Sequence, residues 1–236
     1  MYHWRTSIGP VDLAFTDRHA GAGVAPYDEL DLALDGDGAA ANLRRVADDF
    51  APGATVVDMR QVHGTTVDVV EHRRGSARPE ADALVTSRAD LLLVARVADC
   101  LPVLLADPDA GVIGAVHAGR RGLAAGVASA AVARMRDVGA ARITAWLGPR
   151  ICGACYEVPA HMQAEVGAVV PESVATTSWG TPSLDIGAGV RAQLERQDVQ
   201  VLDVGVCTRE TEDLYSYRRD GAAAGRFAGL VRRRSA

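Results

Sequence analysis

The sequence predicts one domain of mixed helix and strand, α/β or α+β, spanning residues 1–236. Three observations carry that expectation. Strand-length apolar runs are interleaved with amphipathic helical stretches rather than segregated from them. Hydrophobic residues make up 48% and charged residues 23%, the composition of a globular chain that can bury a core without disulfide staples. No fixed-period repeat is present, and the one linker-like stretch, 72–80 (HRRGSARPE), is too short to divide the chain.

Residues 34–41 (LDGDGAAA) read as a Gly- and Asp-rich loop leading into a short helix at 42–50. Residues 55–59 and 66–71 read as strands on either side of a turn at His63-Gly64. Three β-branched runs follow, at 91–97, 101–106 and 112–116, each of strand length and bounded by turn signals. Their continuous apolarity predicts sheets covered on both faces. Residues 123–138 read as one helix, with Val127, Ala130, Ala131, Met135 and Val138 on its apolar face. A strand at 142–147 ends at Gly148-Pro149. Helices are expected at 159–169, with Pro159 at the first position, and at 184–197, and a strand at 199–206. Arg232-Arg233-Arg234 reads as a frayed cationic tail.

Composition excludes several function classes. The formal net charge is −5, so no basic field points to nucleic acid. All 25 basic residues are arginine, which leaves no lysine for a Schiff base or a P-loop. No G-x-G-x-x-G follows a predicted strand. Residues 1–5 (MYHWR) lack the pattern of a signal peptide, and no run of 18 apolar residues suggests a membrane span. Four cysteines, Cys100, Cys152, Cys155 and Cys207, in a chain this long and without a leader, predict reduced thiols and a cytoplasmic setting.

Three polar residues sit at the ends of predicted buried strands, where loops collect functional groups: His63, Cys100 and His117. Two imidazoles and a thiolate suit zinc or copper. Three protein ligands leave a position open for water or substrate, the catalytic form of a zinc site. The same residues also read as a thiol nucleophile, Cys100, with His117 as its base, or as turn histidines beside a buried small hydrophobe. The residue chemistry leaves these alternatives open. Arg120 and Arg121, at the start of the helix after His117, read as an anion site or as solvated surface. Cys152 and Cys155 form C-x-x-C, read as two small residues packing a turn. Cys207 or His161 completes a site there only if the fold brings them close.

The ordered motifs are more specific than any one of them. They are Gln61-Val62-His63-Gly64, Ala81-Asp82-Ala83, Ala98-Asp99-Cys100-Leu101-Pro102, His117-Ala118-Gly119 with Arg121-Gly122, Gly148-Pro149 with Tyr156-Glu157-Val158, and Cys207-Thr208 with Ser216-Tyr217-Arg218-Arg219. In these the chain resembles the laccase-domain (YfiH-like) family, once called multicopper polyphenol oxidases and now regarded largely as purine nucleoside phosphorylases. The likeness runs from Phe15-Thr16 to Gly225-Arg226-Phe227. It implies an α+β domain of helices layered on two β-sheets, with His63, Cys100 and His117 as metal ligands.

It further implies phosphorolysis of adenosine, inosine and 5′-methylthioadenosine, with adenosine deamination as a side activity. Zinc is the expected cofactor and copper the alternative. A copper-dependent polyphenol oxidase and a metal-independent cysteine hydrolase are the rival activities. Purine nucleosides and phosphate are the expected partners, with no nucleic acid and no membrane, and the chain is expected as a monomer or small homo-oligomer. Arg121 is expected to hold phosphate because it matches the family's arginine, and Asp99 to orient a ligand histidine. The chain departs from the family pattern at Arg120, usually Trp, at Asp31-Leu32-Ala33, usually Asn-Leu-Gly, and at Cys152, usually Gly.

Overall fold

Short β-branched strands need partners on their edges, and here the partners come from segments far apart in sequence. The computed structural model describes residues 1–23, 29–35, 38–71 and 78–235. Most of the linker-like stretch at 72–80, including His72, and part of the predicted loop at 34–41 lie outside the described residues.

Strands β1 (Tyr2–Ile8) and β2 (Val11–Thr16) pair antiparallel and precede helix α1 (Ala39–Phe50). Then come β3 (Thr55–Val57), β4 (Val67–Val69), β5 (Ala83–Thr86), β6 (Leu91–Val97), β7 (Leu101–Asp107) and β8 (Val112–Ala118). Helices α2 (Arg120–Ala125) and α3 (Val127–Asp137) lead to β9 (Thr144–Leu147). Helix α4 (Ala160–Gly167), the pair β10 (Val174–Thr176) and β11 (Pro182–Leu184), and helix α5 (Ile186–Glu195) follow. The chain ends in β12 (Gln200–Asp203), α6 (Tyr217–Asp220) and β13 (Phe227–Arg233). One five-stranded sheet has the order β1-β2-β13-β6-β3, and one six-stranded sheet the order β12-β9-β7-β8-β5-β4.

Side-chain alternation along the strands builds the layers. On β6, Leu91, Leu93 and Ala95, with Phe15 of β2, face the other sheet and pack with its Leu104, Ile113 and Trp146. Leu92 and Val94 face the opposite way and pack with Val46 and Phe50 of α1. The outer face of the six-stranded sheet buries Val103, Leu105 and Val116 against Val127, Ala131 and Met135 of α3 and Val190 and Leu194 of α5. The result is an α+β domain of four layers, helix, sheet, sheet and helices. β6, β7 and β8 are buried along their whole length, as the apolar runs predicted, and the burial takes in Arg96, Asp107 and His117 as well.

The chain crosses between the two large sheets at 58–66, 87–90, 98–100 and 204–226. All of these but the 87–90 crossing converge around one cavity.

Several expectations are corrected. The helix predicted at 123–138 is two helices, broken at Gly126, whose φ of 82° suits glycine and ends α2 while starting α3. The helix predicted from 184 begins at Ile186. Leu184 closes β11, and Asp185 caps α5 by accepting from Ala188 N at 2.9 Å. Pro159 stands just before α4 rather than inside it. The cationic tail is not frayed. Residues 227–233 form the strand between β2 and β6, and Arg232 and Arg234 both bind the buried Asp12. β1, β2, β5, β10, β11 and α6 were not expected as such.

Candidate metal centre

Each candidate ligand is set by a backbone feature. His63 has φ 59°, in the left-handed region. Asp82 holds this turn: its carboxylate accepts from the backbone N–H of Val62 (3.3 Å), His63 (2.9 Å) and Gly64 (2.7 Å). The same fully buried carboxylate accepts from His117 Nδ1 at 2.8 Å, and its backbone oxygen accepts from His117 N at 2.8 Å. His117 lies on β8, paired through β5 to the Asp82 segment. Cys100 ends the crossing 98–100, where Asp99 takes φ 81°.

These supports bring the three residues together. Cys100 Sγ lies 3.8 Å from His63 Nε2, and the two imidazole rings stand 4.7 Å apart at 82°. One donor atom from each of the three lies within 4.8 Å of the others. Gly119 makes room for them, because a Cβ there would sit 2.7 Å from His63 Cδ2 and 3.1 Å from Cys100 Sγ.

Burial alone pushes the Cys100 thiol up. Hydrogen bonds and charge from His117 and His63 outweigh it and bring the thiol down to about 6. Burial lowers His117, but the hydrogen bonds of Asp82 and Cys100 outweigh that and hold it at about 9. Burial raises Asp82, and the bonds from His117 and the turn amides more than reverse it. Without a metal the site is therefore an ion pair of thiolate and imidazolium.

The donors fit a metal ion. A sulfur and two imidazole nitrogens are borderline-soft ligands. His117 offers Nε2 while Asp82 holds its Nδ1, the arrangement that fixes tautomer and orientation in metal-bound histidines. Among the described residues this group has three donors, so a fourth position stays open. His63, Cys100 and His117 line a cavity of about 830 Å³.

The orienting carboxylate is Asp82, not Asp99. Asp99 turns to the other crossings instead. It accepts from Thr208 Oγ1 at 2.6 Å and from Arg218 N at 2.6 Å, while its backbone oxygen accepts from Ile151 N at 3.0 Å. Asp82 was hidden because its partner lies 35 residues away across a β5–β8 pairing. The available signal was one acid in the apolar run Ala81-Asp82-Ala83.

Arg121 is exposed and does not line the cavity, whereas Arg120 does. Successive helical residues point about 100° apart, so a helix start offers only one of the two. Tyr156, Arg218 and Arg226 line the walls, with the Arg218 guanidinium 5.2 Å from the Tyr156 ring centre. Burial raises the Tyr156 hydroxyl, helped by the Cys100 charge and opposed by Arg120 and Arg218. His161 lies on α4 and takes no part in a cysteine site. Cys207 does reach Cys152 and Cys155. Burial and the neighbouring thiols push Cys155 up to about 12.

Fold and site together define a two-sheet α+β protein with an open centre of one thiol and two imidazoles. The model of the multi-copper polyphenol oxidoreductase laccase family matches residues 12–234, and the chain belongs to that family. A Streptomyces coelicolor protein named as a purine nucleoside phosphorylase is 49% identical over 98% of this chain and 99% of its own length. A Corynebacterium glutamicum protein with the same description is 44% identical over 94% of each chain. Among solved structures, a Neisseria meningitidis protein superposes with a TM-score of 0.84 at 29% identity, covering 99% of this chain and 98% of its own. YlmD from Geobacillus stearothermophilus gives 0.83 at 29% identity, covering 96% and 93%. Among the described residues, no helix is long and apolar enough to cross a membrane.

Proposed function

We propose that the chain is a zinc-dependent purine nucleoside phosphorylase acting on adenosine, inosine and 5′-methylthioadenosine. The observation that carries this reading is the meeting of His63, Cys100 and His117 in a cavity walled by Tyr156, Arg120 and Arg218. The description shared by relatives of 44–49% identity supports it. Zinc held by Cys100 as thiolate and His63 and His117 as neutral imidazoles would supply Lewis acidity at the open position.

The chain's own residues do the rest. Asp82 keeps His117 on the Nδ1–H tautomer. Tyr156 offers an aromatic face for the purine. Arg120 and Arg218, rather than Arg121, neutralise phosphate and aim one of its oxygens at C1′. The glycosidic C1′–N9 bond breaks as the phosphate oxygen bonds to C1′. The base leaves with its bonding pair and gains a proton from solvent, and ribose 1-phosphate remains. Adenosine deamination uses the same cavity: the oxygen of water bonds to C6, the C6–N6 bond breaks, and the amino group leaves as ammonia.

The test is to purify the chain, measure bound metal by mass spectrometry, and incubate it with adenosine and phosphate. Phosphate-dependent adenine is expected, lost in Cys100→Ala together with the zinc held by that centre. Inosine formed without phosphate marks the deaminase activity. Zinc bound with no nucleoside turnover overturns the substrate. The thiolate–imidazolium pair favours one rival, a cysteine hydrolase of Cys100 and His117. It requires metal-independent activity abolished by iodoacetamide. Bound copper with phenol oxidation would point instead to a polyphenol oxidase.

A further inference from the structure

The C-x-x-C motif stands apart from the cavity chemistry, and the fold adds a third cysteine to it. A tight turn, with Cys155 N and Tyr156 N donating to Cys152 O at 3.0 and 2.9 Å, turns Cys152 and Cys155 to one side. A bridge between Arg150 and Cys207 lays the crossing 204–226 alongside. It is fastened by Arg150 N to Val206 O at 3.1 Å and Thr208 N to Arg150 O at 2.9 Å. A second turn folds Glu210 back, with Glu210 N and Thr211 N donating to Cys207 O at 3.2 and 3.0 Å. Three sulfurs and one carboxylate oxygen then lie within 4.8 Å of one another. None of the three thiols is in a disulfide.

We propose that Cys152, Cys155, Cys207 and Glu210 form a second metal site, structural in kind, that binds zinc. Tetrahedral zinc with bonds of about 2.3 Å sets neighbouring sulfurs about 3.8 Å apart. Side-chain rotation on the order of 1 Å closes the observed cluster to that size. Three sulfur donors select zinc against magnesium or calcium, which take oxygen. Four donors fill the tetrahedron, so no position remains for substrate. The Cys152 N–H already points at Cys207 Sγ, 3.5 Å away, and offsets charge on a thiolate there. Each thiol that binds releases its proton to solvent, and no oxidant is needed.

The site ties two walls of the cavity together. Ile151 and Tyr156, which line the cavity, flank Cys152 and Cys155. Ile151 N and Thr208 Oγ1 both end on Asp99, next to Cys100. An ion at the second site therefore staples these segments behind the first centre. It takes no part in the reaction, and the inference holds whatever the cavity turns over.

Native mass spectrometry of the wild-type chain, purified with zinc under reducing conditions, tests this. About two zinc ions per chain are expected, with about one kept in Cys100→Ala and about one in Cys155→Ser. A Cys155→Ser chain that does not fold is replaced by a second readout, the cobalt-loaded Cys100→Ala protein. Its first centre has no thiolate, so a thiolate-to-cobalt charge-transfer band must come from the second site. A single wild-type ion that is lost in Cys100→Ala, an unchanged count in folded Cys155→Ser, or no such band in cobalt-loaded Cys100→Ala overturns the proposal. A disulfide among the three cysteines in the reduced wild type overturns it too.

Discussion

Asp82 connects two of the proposed ligands with one carboxylate. It fixes the left-handed turn that carries His63 and the tautomer of His117. Asp82→Asn keeps the size of the side chain but loses the charge, and its amide cannot accept all four hydrogen bonds. Zinc affinity should fall about 10- to 100-fold, as it does when a partner of a ligating histidine is removed. Competition against a chelator measures it, and unchanged affinity sinks the role given to Asp82.

The same residues set a pH dependence. With Cys100 at about 6 and His117 at about 9, the metal-free pair is thiolate and imidazolium between those values. Zinc bound as proposed takes the thiolate and a neutral imidazole, so binding in that window would expel the His117 proton. Affinity should rise about tenfold per pH unit from pH 6 to 9, and more steeply below, where the Cys100 thiol must also ionise. A flat profile from 6 to 9 would falsify the ion pair.

Among the elements, the crossings matter more than the strands they join. Asp99 holds φ 81° at the 98–100 crossing and is tied by Thr208, whose side chain is fully buried. Thr208→Val keeps the shape but leaves one Asp99 oxygen unpartnered, which costs about 1–3 kcal/mol. A chain of this size should then melt lower by about 2–4 °C per kcal/mol. Calorimetry checks this, and a Tm equal to the wild type removes the anchor. The elements legible in the sequence were those with a one-residue-type signature. Runs 91–97, 101–106 and 112–116 are apolar but for Arg96 and became β6, β7 and β8. β1 was illegible because its burial is mixed, and β13 because its arginines mimic a solvated tail. His63, Cys100 and His117 stood out at strand ends. Asp82 did not, since its role exists only once β5 pairs with β8. Gly126 was passed over inside an apolar periodicity that continues across the break.

For the molecule as a whole, β13 is the keystone strand. It pairs with β2 on one side and β6 on the other, and buries Phe227, Leu230 and Val231. Deleting residues 225–236 opens both edges and removes several fully buried side chains, each worth about 1.5–3 kcal/mol. That loss is comparable to the whole margin of a folded domain. The shortened chain should be expanded or insoluble, as size-exclusion chromatography and circular dichroism will report. A compact, soluble product with native ellipticity contradicts the keystone role.

That strand order also imposes a timetable on biosynthesis. All three proposed ligands, His63, Cys100 and His117, leave the ribosome before residues 204–226 and well before 227–233. Until β13 has been made, the hairpin β1–β2 has no strand joining it to β6, and nascent β6 keeps a bare edge. Ligand residues therefore emerge into the cell long before the pocket that shields them. If the proposed ion binds, its loading falls to the finished chain, and the nascent chain exposes thiols and an open sheet edge until β13 is made.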